Sequence, residues 1–491
     1  MTDPDISNTI VYLRPRSVEA IRALYDPRNS DLVWTITPHD PMAGPSNSFA
    51  LHPRVFRLGF NSEQKQASEG FLVGTGSDSD IFIPNHGDIP DPHPGNFRIH
   101  YNFESGALLI TAVGRLRIGA TVLEYEQSLL LMAGTDVECE SPALRYMFEF
   151  PDLGQYAADH EAKYRAYVGK LGIPNALYMA ASRSEEPLLG GVYKSICELG
   201  RGGFGTVHKA VNIMTGALYA IKQIPDKLNT KFREYREKER AIIDQLHHPN
   251  ILHYHHAFVD GTVLYIVMEL AVNDLNAHLQ SRGKPGQQIS VPLRCIQSIA
   301  QQALSAIEYL HNRDITHRDL KHENIMVTKW NPATDLPTIK LADFGLVSFE
   351  PEPHSLVGTP GWLAPELSKA CTQAKRSKKV PKGFKYTNAV DIWAMGKILK
   401  GLLGYVPETI TNRGKTVPVP KDAALSLSKR MMSIKPKQRP TASLCLQDSW
   451  ISAAPNPNGL AASKRRRSSS SSASSAQVNK RVKAKLTSRQ E

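Results

Sequence analysis

The architecture this sequence predicts is α+β in several folded units, and three observations carry that expectation. Short β-like apolar runs separated by turn residues fill the stretch from Arg54 to Leu153. From Tyr193 the texture becomes strands first and helices later, the order of an α+β domain. Past Ile451 the globular pattern stops. At 491 residues the chain is also too long for one compact core, so two or three domains are expected. The divisions fall at 1–50 (an N-terminal segment), 51–153 (a β-sandwich), 154–191 (a connector), 192–452 (the strand-then-helix domain) and 453–491 (a tail).

Residues 1–50 mix short apolar patches with Pro, Asn and Ser and specify no element. Beyond them, runs such as 71–73, 81–83, 97–101, 107–111, 121–125, 128–131 and 146–150 read as strands, and many short strands with Gly and Asn between them read as a sandwich. The connector has helical or mixed character. Within 192–452, Ile296, Ile299, Ala300, Ala303, Leu304, Ile307 and Leu310 recur at i, i+3, i+4 spacing, which predicts a buried helix. The tail is rich in Ser and basic residues with almost no apolar content, so disorder is expected there.

Composition narrows the function class. No apolar run approaches a membrane span. The first residues carry acid where a secretory signal carries base, which argues against secretion. Five scattered cysteines form no CxxC pair, so neither a zinc site nor a disulfide framework is expected. The net charge of +12 is uneven. Residues 1–150 hold 11 Lys and Arg against 19 Asp and Glu, while the stretch from Ser463 onward holds nine bases and one acid. Such asymmetry points to modules with different partners.

The chemistry concentrates in residues 317–324, His-Arg-Asp-Leu-Lys-His-Glu-Asn. Asp319 can accept the proton of an attacking hydroxyl, Asn324 can hold a metal ion, and Lys321 can steady a transferring phosphate. Asp343-Phe344-Gly345 lies 24 residues after Asp319, and Ala364-Pro365-Glu366 follows. Upstream, Gly200, Gly202 and Gly205 stand in a GxGxxGxV frame ending at Val207, and glycines let backbone N–H groups approach phosphate oxygens without Cβ clashes. A second strand carrying Ala220 and Lys222 comes next, not the helix that a dinucleotide fold places there.

Together these motifs resemble the protein kinase family of serine/threonine type, over about residues 192–452. The resemblance implies a bilobal kinase fold and an ATP-dependent transfer to Ser or Thr of protein substrates, with Mg²⁺ as metal. Asp319 becomes the catalytic base with Lys321 beside it. Asn324 and Asp343 become metal ligands. Lys222 becomes the phosphate-binding lysine, paired with Glu239. Leu199, Gly200, Gly202, Gly203 and Gly205 form the loop over the phosphates, and Val207 and Ala220 enclose the adenine. Met268 is the gatekeeper, and Glu269 and Ala271 present backbone to the adenine edge. Lys321 and the Gly358-Thr359 pair are serine/threonine-type features, and Thr359 is expected to contact Asp319. Trp362 stands where the family usually has Tyr. Arg318 implies control by a phosphate on the segment 346–363, with Ser355 as the expected phosphosite, and Arg439 is expected to pair with Glu366. The stretch between Glu366 and Asp391 is longer than usual and basic; a solvated loop or a docking surface for acidic or phosphorylated substrates would account for it.

Residues 74–83, 96–99 and 105–110 resemble a forkhead-associated (FHA) domain, which implies a phosphoprotein partner. Thr75 stands where that family has its phosphate-reading Arg, and 93–96 lacks its Ser-Arg-x-His, so the resemblance departs at the reading residues. Kinases with this arrangement include DNA-damage and meiotic checkpoint kinases. The basic clusters 464–467 and 480–485 resemble a bipartite nuclear import signal, implying an import receptor and a nuclear location, with a cytoplasmic pool compatible. A pseudokinase scaffold and a phosphoprotein-binding adapter stand as alternative functions.

Overall fold

The structure, a computed structural model, describes residues 6–35, 54–66, 69–84, 95–132, 135–139, 144–173, 188–202, 205–226, 246–281, 289–331, 333–350, 352–377, 379–412 and 415–455. Gly203, Glu239, most of the tail and its basic clusters lie outside the described residues.

Among the described residues the N-terminal module has twelve strands: β1 (Thr9–Pro15), β2 (Val33–Thr35), β3 (Arg54–Gly59), β4 (Phe71–Gly74), β5 (Ile81–Phe82), β6 (Gly95–Tyr101), β7 (Leu108–Ala112), β8 (Leu116–Ile118), β9 (Thr121–Leu123), β10 (Ser128–Leu130), β11 (Asp136–Cys139) and β12 (Leu144–Glu149). They form one sheet in the order β2-β3-β1-β12-β11-β8-β9 and a second in the order β10-β7-β6-β4-β5. Both sheets contribute to a single apolar core that includes Val11, Phe56, Phe97, Ile110, Tyr146 and Phe148. The module therefore draws on the segment before residue 51, because β1 pairs with β3 on one side and β12 on the other. All seven residues of β1 are buried, so it carries no polar alternation for a period-two pattern to detect. A short helix, α1 (Val18–Ala23), capped by the Ser17 hydroxyl, follows it.

The connector supplies α2 (Ala157–Lys170), which buries Tyr164 and Val168 in the module's core. Tyr164 donates its hydroxyl proton to the Gly106 carbonyl at 2.8 Å, and His160 Nε2 lies 2.9 Å from the Thr9 carbonyl. Asp80, whose charge the sequence places beside Thr75, is committed to folding: its carboxylate accepts from the N–H groups of Lys65 and Leu72 at 2.7 and 2.8 Å.

The second domain opens with five strands, β13 (Tyr193–Gly202), β14 (Gly205–Asn212), β15 (Leu218–Pro225), β16 (Tyr254–Asp260) and β17 (Val263–Glu269), in the sheet order β13-β14-β15-β17-β16. The lower lobe follows. A three-stranded sheet combines β18 (Asn273–Asp274), β19 (Ile325–Asn331) and β20 (Leu336–Leu341). Helix α3 (Leu275–Ser281) leads into α4 (Leu293–His311), whose i, i+3, i+4 stripe is buried as the periodicity predicts. After the site loops come α5 (Pro365–Ser377), α6 (Ala389–Leu403), the hairpin β21 (Thr409–Asn412) and β22 (Lys415–Pro418), α7 (Asp422–Met431), α8 (Ala442–Leu446) and α9 (Ser449–Ser452). One apolar core runs from Ala220 and Met268 in the upper sheet through α4 to α6 and α7.

The two domains share packing. The turn between β14 and β15 inserts into the first module, and Val211 and Ile213 are buried in that module's core. The Leu130 N–H donates to the Ile213 carbonyl at 2.5 Å, and Asn102 Nδ2 donates to the Thr215 carbonyl at 2.9 Å. Gly216 sits at φ +70°, and a Cβ there would come within 3.1 Å of Asn102 and Leu109. Gly119 has a comparable φ of +58° with nothing within 4 Å. Both Gly216→Val and Gly119→Val therefore strain the backbone, but only the first also crowds the interface. Gly216→Val should lower stability by about 2 kcal/mol more than Gly119→Val, read as a difference in denaturant midpoints. Equal losses would mean that the domain contact is not tight at Gly216.

Candidate active site

The nucleotide side of the site is set by strand register. Antiparallel pairing places Val207 opposite Lys222, and Ala220 opposite Met268. Ala220 and Met268 are buried and Val207 partly so, giving a small apolar floor against one buried lysine. Gly202 pairs with Gly205 where the β13–β14 hairpin closes. The glycines differ in what they do. A Cβ on Gly205 would lie 2.1 Å from the Gln223 carbonyl oxygen, so packing demands glycine there. Gly200 and Gly202 have nothing within 4 Å, so bare backbone faces open space at both. Leu199 precedes them and is half exposed. At the end of β17 the Glu269 N–H donates to the His253 carbonyl at 2.9 Å, and its carboxylate holds Lys340 at 2.5 Å. Ala271, two residues on, lies outside any strand.

Lys222 Nζ donates to Asp343 Oδ1 at 2.8 Å. The expected partner Glu239 lies outside the described residues; among the described residues Lys222 pairs with Asp343. That contact joins the upper sheet to the lower lobe. Asp343 itself is held at φ +63°, an uncommon conformation for a non-glycine residue.

On the lower lobe, three side chains converge on Asp319. Its Oδ1 accepts from the Thr359 hydroxyl at 2.6 Å and from the Thr359 N–H at 2.9 Å. Its Oδ2 accepts from Lys321 Nζ at 2.9 Å and Asn324 Nδ2 at 3.1 Å. Lys321 Nζ also lies 2.9 Å from the Thr359 hydroxyl, so ammonium, carboxylate and hydroxyl close a triangle. Asn324 uses its amide protons on Asp319, which leaves its Oδ1 as a hard oxygen donor. The Ala342 N–H donates to the Asn324 carbonyl at 2.9 Å and so brings the Asp343 strand end beside Asn324. Amide and carboxylate oxygens at adjoining positions are the donor type that Mg²⁺ takes, so these residues fit the implied metal.

Beneath the site, one buried carboxylate anchors the loop that leads to Asp319. Asp391, at the start of α6 and 1% exposed, accepts from the N–H groups of His317 and Arg318 at 2.8 and 2.9 Å and from His311 Nε2 at 3.0 Å. Burial by itself pushes this carboxyl up; the His311 hydrogen bond, the field of His317 and the Arg318 N–H outweigh it and hold Asp391 below the ordinary carboxylate value. The loop so anchored carries Arg318 at φ +71°. His317 Nε2 lies 3.1 Å from the Ala342 carbonyl, and its ring packs on Phe344. His311 joins this anchor only in space, 80 positions from Asp391.

Arg318 is buried, and among the described residues its guanidinium donates to neutral groups: the carbonyls of Leu346 (2.5 Å) and Val347 (2.8 Å), the Ser355 hydroxyl (2.5 Å) and the Tyr386 hydroxyl (3.1 Å). Arg439, by contrast, holds Glu366 through two 2.7 Å bonds, the pair the sequence predicts. Tyr386 also donates to the Ser355 carbonyl at 2.9 Å.

Because Asp391 sits below its unfolded pKa of about 3.9, its stabilisation is present above that value and is lost as pH falls through the folded one. Asp391→Asn removes the charge that three donors share. It should cost about 2 kcal/mol at neutral pH and flatten the acid limb of stability, measured by denaturant melts between pH 3 and 7. An unchanged acid limb would show that Asp391 does not set it.

Residues 193–451 match the family model described as protein kinase domain. Among curated proteins, the chain is 32% identical over 282 residues to "Serine/threonine-protein kinase 33" of Mus musculus, covering 52% of this chain and 53% of that protein. It is 34% identical over 275 residues to "Calcium/calmodulin-dependent protein kinase type II" of Caenorhabditis elegans, covering 52% and 35%. A probable myosin light chain kinase of Dictyostelium discoideum is 32% identical over 286 residues, which is 54% of this chain and 76% of that protein. The chain thus spans about half, or less, of the first two relatives. The match covers the five-stranded sheet, the Asp319 triangle and the Arg439–Glu366 pair alike, and on it the chain belongs to the protein kinase family.

Proposed function

We propose that this chain is an ATP-dependent serine/threonine protein kinase that transfers the γ-phosphate of Mg-ATP to hydroxyls of protein substrates. The observation that carries the reading is the Thr359 hydroxyl, 2.6 Å from Asp319 Oδ1 and 2.9 Å from Lys321 Nζ. An aliphatic hydroxyl here already has the two neighbours an acceptor needs. A carboxylate takes its proton, and an ammonium neutralises the phosphoryl oxygens that approach it. Phosphoryl transfer asks the protein mainly for positioning and charge neutralisation. Lys222 supplies a further cation on the nucleotide side. A Mg²⁺ ion on Asp343 and Asn324 would neutralise phosphate charge there. The presence of Lys222, Asp319, Asn324 and Asp343 together weighs against a scaffold without chemistry.

A finer reading concerns control. Arg318 is a buried guanidinium whose described partners carry no charge, and the Ser355 oxygen is already 2.5 Å from it. A phosphate on Ser355 would give Arg318 a charged, multidentate partner at little rearrangement. A nuclear site of action and a phosphoprotein partner for the N-terminal module belong to the same proposal and rest on sequence motifs.

Asp319→Ala should lower phosphate transfer from labelled ATP to protein substrates by about 10²–10⁴-fold while leaving nucleotide affinity intact. Equal transfer by the variant would end the enzyme reading. Ser355→Ala should keep the rate of phosphatase-treated protein and lose the gain that phosphorylation restores to the wild type. The same gain in both proteins would remove Ser355 as the switch.

A further inference from the structure

The stretch between the site and α6 is the most one-sided in charge of the described fold. Residues 367–390 contain seven Lys and Arg and no Asp or Glu. Lys369, Lys375 and Arg376 lie on α5, and Lys379, Lys382 and Lys385 follow it; all six are exposed. Among the described residues, only Lys385 of these forms an ion pair, with Glu352 at 3.0 Å. The acid at the helix start, Glu366, is taken by Arg439. Leu367 and Ala370 turn inward, and Lys369 and Arg376, seven residues apart, stack along the outer face. Exposed like charges this close repel one another, so the strip carries an unfavourable energy that an anionic partner relieves.

Its position says what that partner is. A shallow depression is lined by Asp319, Thr359, Trp362, Leu363, Leu367 and Ala394, among others. The catalytic carboxylate and the first turn of α5 therefore wall the same depression, and Lys369 stands two residues past Leu367. Thirteen helical residues extend about 20 Å. An extended peptide covers that distance in about six residues.

We infer that α5 and the residues after it form a specificity surface for acidic segments of the substrate, engaging acids about two to six positions from the accepted Ser or Thr. The inference rests on the kinase reading and adds the substrate class. Its physics is that of exposed charges: each contact is weak, several act together, and salt screens them.

The test uses the full chain and matched peptides with a single Ser: one series with Asp and Glu two to six residues before it, one with them after it, and an Ala-substituted parent. KM for one acidic series should fall about ten-fold below the parent, the worth of a few exposed pairs, and the gap should close between about 0.05 and 0.5 M salt. Lys369→Glu/Arg376→Glu should abolish the preference while leaving kcat/KM for the parent unchanged, which shows that the site itself is intact. Wild-type KM values that ignore the acids overturn the proposal. So does a variant whose only loss is binding of duplex DNA, since the strip then serves nucleic acid. A chain that phosphorylates none of the peptides overturns the kinase reading and this inference with it.

Discussion

The catalytic geometry depends on one buried carboxylate. Asp391 is 1% exposed and takes three donors, two of them the consecutive N–H groups of His317 and Arg318. Those two residues precede Asp319, and Arg318 is held at φ +71°. A non-glycine residue at positive φ costs of order 1–3 kcal/mol unless its surroundings over-determine it. Here they do. The Asp391 contacts fix its backbone while Leu346, Val347, Ser355 and Tyr386 fix its side chain. The direction in which Asp319 points is thus inherited from helix α6 rather than from the loop that carries it.

Two arginines show how differently one residue type can be used. Arg439 meets a carboxylate in a two-bond pair and is a structural clamp between the start of α5 and the end of the domain. Arg318 is equally buried but is satisfied by carbonyls and hydroxyls. Burying a cation among neutral dipoles is less favourable than pairing it, so the same geometry that positions Asp319 leaves a charge open to an anion. The site also shows an economy in its donors. Thr359 spans Asp319 and Lys321, so the segment leading to α5 is tied to the Asp319 carboxylate.

Much of this site was legible in the sequence because its chemistry is local. Asp319, Lys321 and Asn324 fall within six residues, and the structure brings all three together. Lys222 and Asp343 were legible through separate motifs, and they meet although 121 positions apart. The supporting layer was not legible. His311 and Asp391 lie 80 positions apart, and Arg318 and Tyr386 lie 68 apart, with no motif that pairs them. Strand β1 escaped notice for a different reason: buried on both faces, it has no alternation to read. Gly203 and Glu239 fall outside the described residues.

The contact between the domains reaches the glycine hairpin of the site. Strand β14 runs from Gly205, where that hairpin closes, to Asn212, where the turn enters the N-terminal module. Seven extended steps separate those ends by about 23 Å. Both ends are constrained by backbone. Gly205 lies against the Gln223 carbonyl, and Ile213 accepts the Leu130 N–H. A strand held in a five-stranded sheet does not shift at one end without strain at the other. The module is therefore packed as a brace on the five-stranded sheet. Asp80 supports the same conclusion from within the module, since its carboxylate is spent on the N–H groups of Lys65 and Leu72 and works as a fold-holding cap.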